Sequence, residues 1–189
     1  VAGHLVMGLN LAFLDQIKHG LSHKEKRLAY YGAGEQPSQR FQLGNDQGVV
    51  CGTTSALLLW VLGYPDRAVE RANEGLALSR KIDHPLSKAY ALYHAGFLHL
   101  WLLKPDMVRK RVQEALEIAE EHDFQVWRAL ANCLDGMAMS AMHQDDQGLA
   151  RFREGKALYQ GLTSPRCFGR LSFSWRPEPA PWLERLRKD

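Results

Sequence analysis

The stretch YPDRAVERANEGLAL, Tyr64–Leu78, returns forty positions later as KPDMVRKRVQEALEI, Lys104–Ile118. Pro65 falls on Pro105, Asp66 on Asp106, Arg71 on Arg111 and Glu74 on Glu114. A fainter third copy, DDQGLARFREGKAL, covers Asp145–Leu158 and keeps Arg151 and Glu154 in step. A fixed interval of this length marks a repeat architecture. Each Asp follows a Pro that resists extension of the preceding helix, so Asp66 and Asp106 are the expected N-caps. Behind them Val69, Ala72 and Leu76, and then Val108, Val112, Ala115 and Ala119, recur at three- and four-residue steps. That is one apolar stripe along an amphipathic helix. The Arg and Glu of each copy stand three apart, as neighbours on a helix surface, and such a pair contributes only about 0.2–0.5 kcal/mol. The recurring frame is scaffold, not a site repeated three times.

Between the copies lie SKAYALYHAGFLHLWLL, Ser87–Leu103, and VWRALANCLDGMAMSAMH, Val126–His143, apolar on almost every side. Helices of that kind are sandwiched between neighbours. The register extends upstream to QGVVCGTTSALLLWVLG, Gln47–Gly63, and to an amphipathic helix over HLVMGLNLAFLDQIKHGL, His4–Leu21. There the spacing stretches to fifty-five, which predicts a long polar loop over 22–46. Long loops in a tight repeat are often functional. After Leu162 the pattern breaks into a basic segment with Pro165, Pro177, Pro179 and Pro181. We therefore divide the chain into a helical-repeat domain over 1–163 and an irregular cap or tail over 164–189.

In the helix over Pro105–Glu121, Arg109, Lys110 and Arg111 precede Glu114, Glu117, Glu120 and Glu121. This order opposes the helix dipole, so tertiary packing has to hold the helix.

Composition agrees with a folded globular chain, at 46% hydrophobic and 24% charged over 189 residues. Polar residues interrupt every apolar run before the ~20 residues a membrane span requires. The net charge of +3 is too small to point to nucleic acid, and residues 166–189 account for the surplus. Cys51, Cys133 and Cys167 are few and fit no pairing motif, as suits a reducing cytoplasm. The chain opens at Val1 inside an apolar pattern and reads as a piece of something longer.

The run GYPDRAVERANEGLALSR, Gly63–Arg80, followed by Ser87–Phe97, resembles a tetratricopeptide (TPR) repeat. Such repeats close one unit with D-x-A and A-L-x-L positions and carry a small pair like Ala95-Gly96 in the next helix. Gly136 holds that place one repeat on, and Ala56 one repeat earlier. More narrowly, residues 43–92 look like the TPR-like region of bacterial multidomain signalling proteins. Those combine a class III nucleotide cyclase or a transcription-activator domain with a P-loop ATPase domain. The G-x-D-x-G-V, L-W-x-L-G-Y-P-D-x-A and H-P-x-S segments carry that likeness. Gln47 departs from it, since the group tends to have Pro there. The resemblance implies an all-α, TPR-like α-solenoid, a right-handed superhelix of antiparallel helix pairs with a period of about forty residues. It also implies a non-catalytic interaction or regulatory module without cofactors.

Within that register Tyr90, Tyr93, Phe97 and Trp101 share one helix and face the concave groove, where aromatic side chains make good anchors. Arg128, Asn132 and Asp135, at steps of four and three, form a polar stripe on an otherwise apolar helix. Such a stripe is solvated, bonded internally or waiting for a partner. These seven residues are the candidate partner-binding groove, for a protein, a peptide or another domain of the parent chain. A homodimerising structural module is the first alternative, and a small-molecule sensor with the 22–46 loop as its lid is the second. Metal chemistry finds little footing. His94 and His99 stand five apart and point in different directions; Asp15, His19 and His23 keep four-residue steps, but Gly20 and Ser22 between them predict a helix end and no fourth ligand is identifiable. Cys133 reads as a buried small residue rather than a nucleophile.

Overall fold

Pro65, Pro85 and Pro105 each stand at the first position of a helix. The fixed proline φ suits that place, and its missing N–H would have had no intrahelical partner there. The computed structural model describes residues 7–8, 11, 16–31, 41 and 44–162. Among them seven helices follow one another and no strand occurs. They are α1 (Ile17–Tyr30), α2 (Gln47–Val61), α3 (Pro65–Ile82), α4 (Pro85–Trp101), α5 (Pro105–Glu121), α6 (Gln125–Ala141) and α7 (Asp145–Gln160). The chain divides between Leu102 and Leu103 into two units, α1 to α4 in the first and α5 to α7 in the second. The all-α expectation holds for these residues. The segment over 164–189 lies outside them.

Two local expectations change. Asp66 and Asp106 are not caps: the N-cap positions belong to Tyr64 and Lys104, and each Asp sits in the first turn. Proline takes the first helical position, so the carboxylate acts there on the positive end of the helix dipole. The loop expected from residue 22 is helical through Tyr30. Gly20 and Ser22 do not stop α1, because the following HKEKRLA is rich in strong helix formers.

Turns between helices share one device. A residue with positive φ recurs at Gly63 (85°), Asp83 (54°), Leu103 (55°), Asp123 (53°) and His143 (62°). The interval is twenty residues each time, so each of α2 to α6 ends in the same left-handed step.

In the first unit α2 is the central helix, packed against α1, α3 and α4. Ala56 and Leu59 of α2 form its core with Ala68, Ala72 and Leu98, and Leu21, Leu57, Trp60 and Leu102 pack around them. Gly52 and Gly75 let α2 and α3 approach closely; a Cβ on Gly75 would lie 2.7 Å from the Thr53 Cγ2. In the second unit α6 packs between α5 and α7. Val108, Val112, Ala115 and Ala119 of the expected α5 stripe are all buried, which holds that helix despite its charge order. The fully buried positions of α7 are Gly148 and Gly155, and a Cβ on Gly155 would stand 2.6 Å from the Ala129 carbonyl. Backbone meets backbone there. Of the repeated surface pairs, Arg71 meets Glu74 at 3.1 Å and Arg151 meets Glu154 at 3.2 Å.

Candidate functional site

The polar stripe on α6 separates into two kinds of residue. Asp135 is used internally: its carboxylate meets the Arg109 Nε of α5 at 3.2 Å and the Arg151 Nε of α7 at 3.5 Å. One acid thereby ties together the three helices of the second unit. Arg128 donates from one terminal nitrogen to Gln125 Oε1 at 2.8 Å. Its Nε, however, is buried without a hydrogen-bond partner among the described residues. The same is true of the Asn132 Oδ1, on a residue only 3% exposed. An unsatisfied buried group costs about 1–3 kcal/mol. Arg128 and Asn132 stand one turn apart and present a donor and an acceptor.

The aromatic residues of α4 pack on one another. Tyr90 and Tyr93 are buried, while Phe97 and Trp101 are half-buried. Ring centroids lie 6.1 Å apart for Tyr93 and Phe97 and 4.9 Å for Phe97 and Trp101; Trp60 of α2 closes the row at 4.7 Å from Trp101. His94 stacks on Tyr90 at 4.0 Å and meets the edge of Tyr93 at 5.2 Å. Its Nδ1 donates to the Tyr90 carbonyl at 2.8 Å. Burial pulls the imidazole pKa down to about 4, against the backbone hydrogen bond, and the charge on Lys24 lowers it further. His99 similarly donates to the Ala95 carbonyl at 2.6 Å. Both histidines serve the helix that carries them. Burial pushes the Cys133 thiol up to about 12, far from a reactive thiolate.

A second polar cluster lies where the sequence predicted a loop. Lys24 and Arg27 on α1 are fully buried. The Lys24 ammonium donates to Thr54 Oγ1 at 2.7 Å, and Arg27 Nε donates to Gln47 Oε1 at 3.0 Å. The Arg27 guanidinium lies 5.5 Å from the Tyr31 ring centroid, and the Tyr31 hydroxyl donates to Asp46 Oδ2 at 2.8 Å. Asp46 caps α2 by accepting the Val49 N–H at 3.0 Å, and its own N–H donates to Ser87 Oγ at 2.8 Å. The Ser87 hydroxyl in turn donates to His84 Nδ1 at 2.9 Å, at the start of α4. Burial lowers the Lys24 pKa to about 8, slightly offset by Cys51. Burial also raises the Cys51 thiol, with Lys24 and Arg27 working against it. The Ser55 hydroxyl is buried with no partner among the described residues. The usable signal was the spacing: Gly20, Lys24 and Arg27 follow steps of four and three, as Arg128, Asn132 and Asp135 do.

Among the described residues no group of three or more His, Cys, Asp and Glu could hold a metal ion, and Asp15 lies outside them. No helix among them is long and apolar enough to cross a membrane. No protein-family model matches the chain, and no curated protein matches its sequence.

Proposed function

We propose that the protein is a non-catalytic, TPR-like helical-repeat module that binds a protein or peptide partner, as part of a larger signalling protein. The observation that carries this reading is the pair on α6: a buried acceptor, Asn132 Oδ1, and a buried donor, Arg128 Nε, without partners among the described residues. A peptide backbone offers the complementary pair, an N–H and a C=O. Side chains one helical turn apart stand about 5–6 Å from each other. Backbone groups on one side of an extended peptide repeat at about 6.6 Å, twice the rise per residue of a strand, so one segment can engage both. Asp135, His94 and His99 support the non-catalytic part of the reading, since ion pairs and backbone carbonyls already engage them.

The test is a peptide array probed with the wild-type chain, Asn132→Leu and Arg128→Met. Wild type is expected to select extended peptides, and both variants to lose them while keeping their helical circular dichroism. A wild type that selects nothing, or variants that keep the same peptides, would overturn the reading.

A further inference from the structure

We propose that the two guanidinium groups gathered at Asp135 take a phosphorylated serine or threonine of the partner peptide. The inference rests on the peptide reading above and names the residue that the partner presents beside its backbone contacts on α6. Arg109 reaches the Asp135 carboxylate from α5 and Arg151 reaches it from α7, each through its Nε. A guanidinium has five N–H donors and no acceptor. Arg109 spends only its Nε on the described residues, which leaves four terminal N–H groups. Arg151 also gives one terminal N–H to Glu154 Oε2 at 3.2 Å and keeps three. Both side chains are open to solvent, Arg109 at 44% and Arg151 at 35% exposure, while the Asp135 that holds them is only 13% exposed.

The repeated scaffold does not require this arrangement. Forty residues earlier, the positions of Arg109, Asn132 and Asp135 are held by Val69, Leu92 and Ala95. Leu92 and Ala95 are fully buried, so the frame is complete with apolar side chains there. Arg151 alone belongs to the recurring frame, in step with Arg111 and Arg71.

The donor set selects phosphate over carboxylate. One guanidinium that binds through two N–H groups already takes both oxygens of a carboxylate. A phosphoryl group brings three acceptor oxygens and a charge of about −1.5 to −2, enough for both guanidiniums. Asp135 is the positioning residue: it fixes where the two stand, so less side-chain freedom is lost when the anion binds. It follows Asn132 by one turn of the same face, about 5–6 Å on. Alternate residues of an extended peptide repeat at about 6.6 Å. The phosphorylated residue therefore stands two places from the one whose N–H meets Asn132.

Fluorescence anisotropy on the full chain tests this with degenerate extended peptides carrying a central phosphoserine, serine or glutamate. The phosphoserine set is expected to bind about tenfold more tightly than the serine set, and also more tightly than the glutamate set. The paired substitution Arg109→Gln and Arg151→Gln is expected to bring that ratio near one, and Asp135→Asn to lower it, with helical circular dichroism kept. A wild-type ratio near one, or a ratio that survives the paired substitution, overturns the proposal. Glutamate equal to phosphoserine would assign the pair to a carboxylate. Displacement by single-stranded DNA as readily as by phosphopeptide would assign it to nucleic acid. Either result also overturns the proposal. Should the variants fail to fold, the wild-type ratios decide alone. The two readings fail separately. A phosphoserine preference in a chain whose binding Asn132→Leu leaves untouched removes the α6 pair only. Equal binding of all three sets removes the phosphate site only, and no binding of any set removes both.

Discussion

Replacing Asn132 by Leu separates a binding residue from a structural one. The two side chains have the same number of heavy atoms branched at the same place, so the swap removes polarity with little change of shape. Asn132 is 3% exposed and its Oδ1 has no partner among the described residues, so the isolated protein carries an unsatisfied acceptor. That acceptor costs about 1–3 kcal/mol. Leucine removes the cost and exchanges an amide for buried apolar surface, less some strain where methyls replace smaller polar atoms. The expected balance is a stabilisation of about 1 kcal/mol, or roughly 2–4 °C in Tm for a chain of this size. Asn132→Asp should act in the opposite direction, since it buries a charge beside an already ion-paired carboxylate at Asp135. Urea unfolding followed by circular dichroism reads both variants. A loss of more than about 1 kcal/mol in Asn132→Leu would show that the amide is hydrogen-bonded inside the fold. The acceptor would then not be free for a peptide, and the functional reading built on it would fall.

Three further outcomes follow from the packing and the protonation chemistry. Gly155→Ala should destabilise the second unit by about 1–3 kcal/mol in the same urea assay, because its Cβ would stand 2.6 Å from both the Ala129 carbonyl and the Cys133 amide nitrogen; an unchanged midpoint would mean α6 and α7 are not that close. Leu103→Gly should stabilise the chain by about 1 kcal/mol, since Leu103 sits 73% exposed at a φ of 55° that glycine adopts without strain; a lower Tm would contradict the left-handed turn. His94 has a folded pKa of about 4 against an ordinary 6.5, so the unfolded chain binds the extra proton between those values. The stability linked to His94 is present above pH 6.5 and is lost as pH falls toward 4, by about 3 kcal/mol at most. His94→Phe should flatten that part of the stability profile, and an identical acid limb in the variant would dismiss the assignment.

The helices were legible because their signals were local. A proline followed by an apolar stripe at three- and four-residue steps specifies where α3 and α5 start and which side they bury. The nearly all-round apolar sequences of α2 and α6 likewise specify central helices. What periodicity could not specify was the detail of the ends. Proline took the first helical position and moved Asp66 and Asp106 into the first turn. The left-handed step at every twentieth residue was invisible, because Gly holds only one of the five positions and Asp, Leu and His hold the other four.

The two polar clusters were unequally visible for a related reason. On α6 the background is apolar, so Arg128, Asn132 and Asp135 stand out as a stripe, although only three-dimensional proximity reveals that Arg109 and Arg151 claim Asp135. On α1 the background is polar. Lys24 and Arg27 are surrounded in sequence by Lys18, His19, His23, Glu25 and Lys26, and hydropathy alone assigns all of them to solvent. The residues that bury the two cations come from elsewhere: Gln47, Cys51 and Thr54 on α2, and Tyr90 and His94 on α4. A helix that turns its small and cationic residues inward and leaves Lys18 and Lys26 exposed is specified by its neighbours. Gly8 is a clue, since a Cβ there would stand 2.9 Å from the Lys24 Cγ and 3.0 Å from the Gly20 carbonyl. Burial of that lysine is costly in any protein of this size. The Thr54 hydroxyl, which accepts from the ammonium at 2.7 Å, offsets part of that cost.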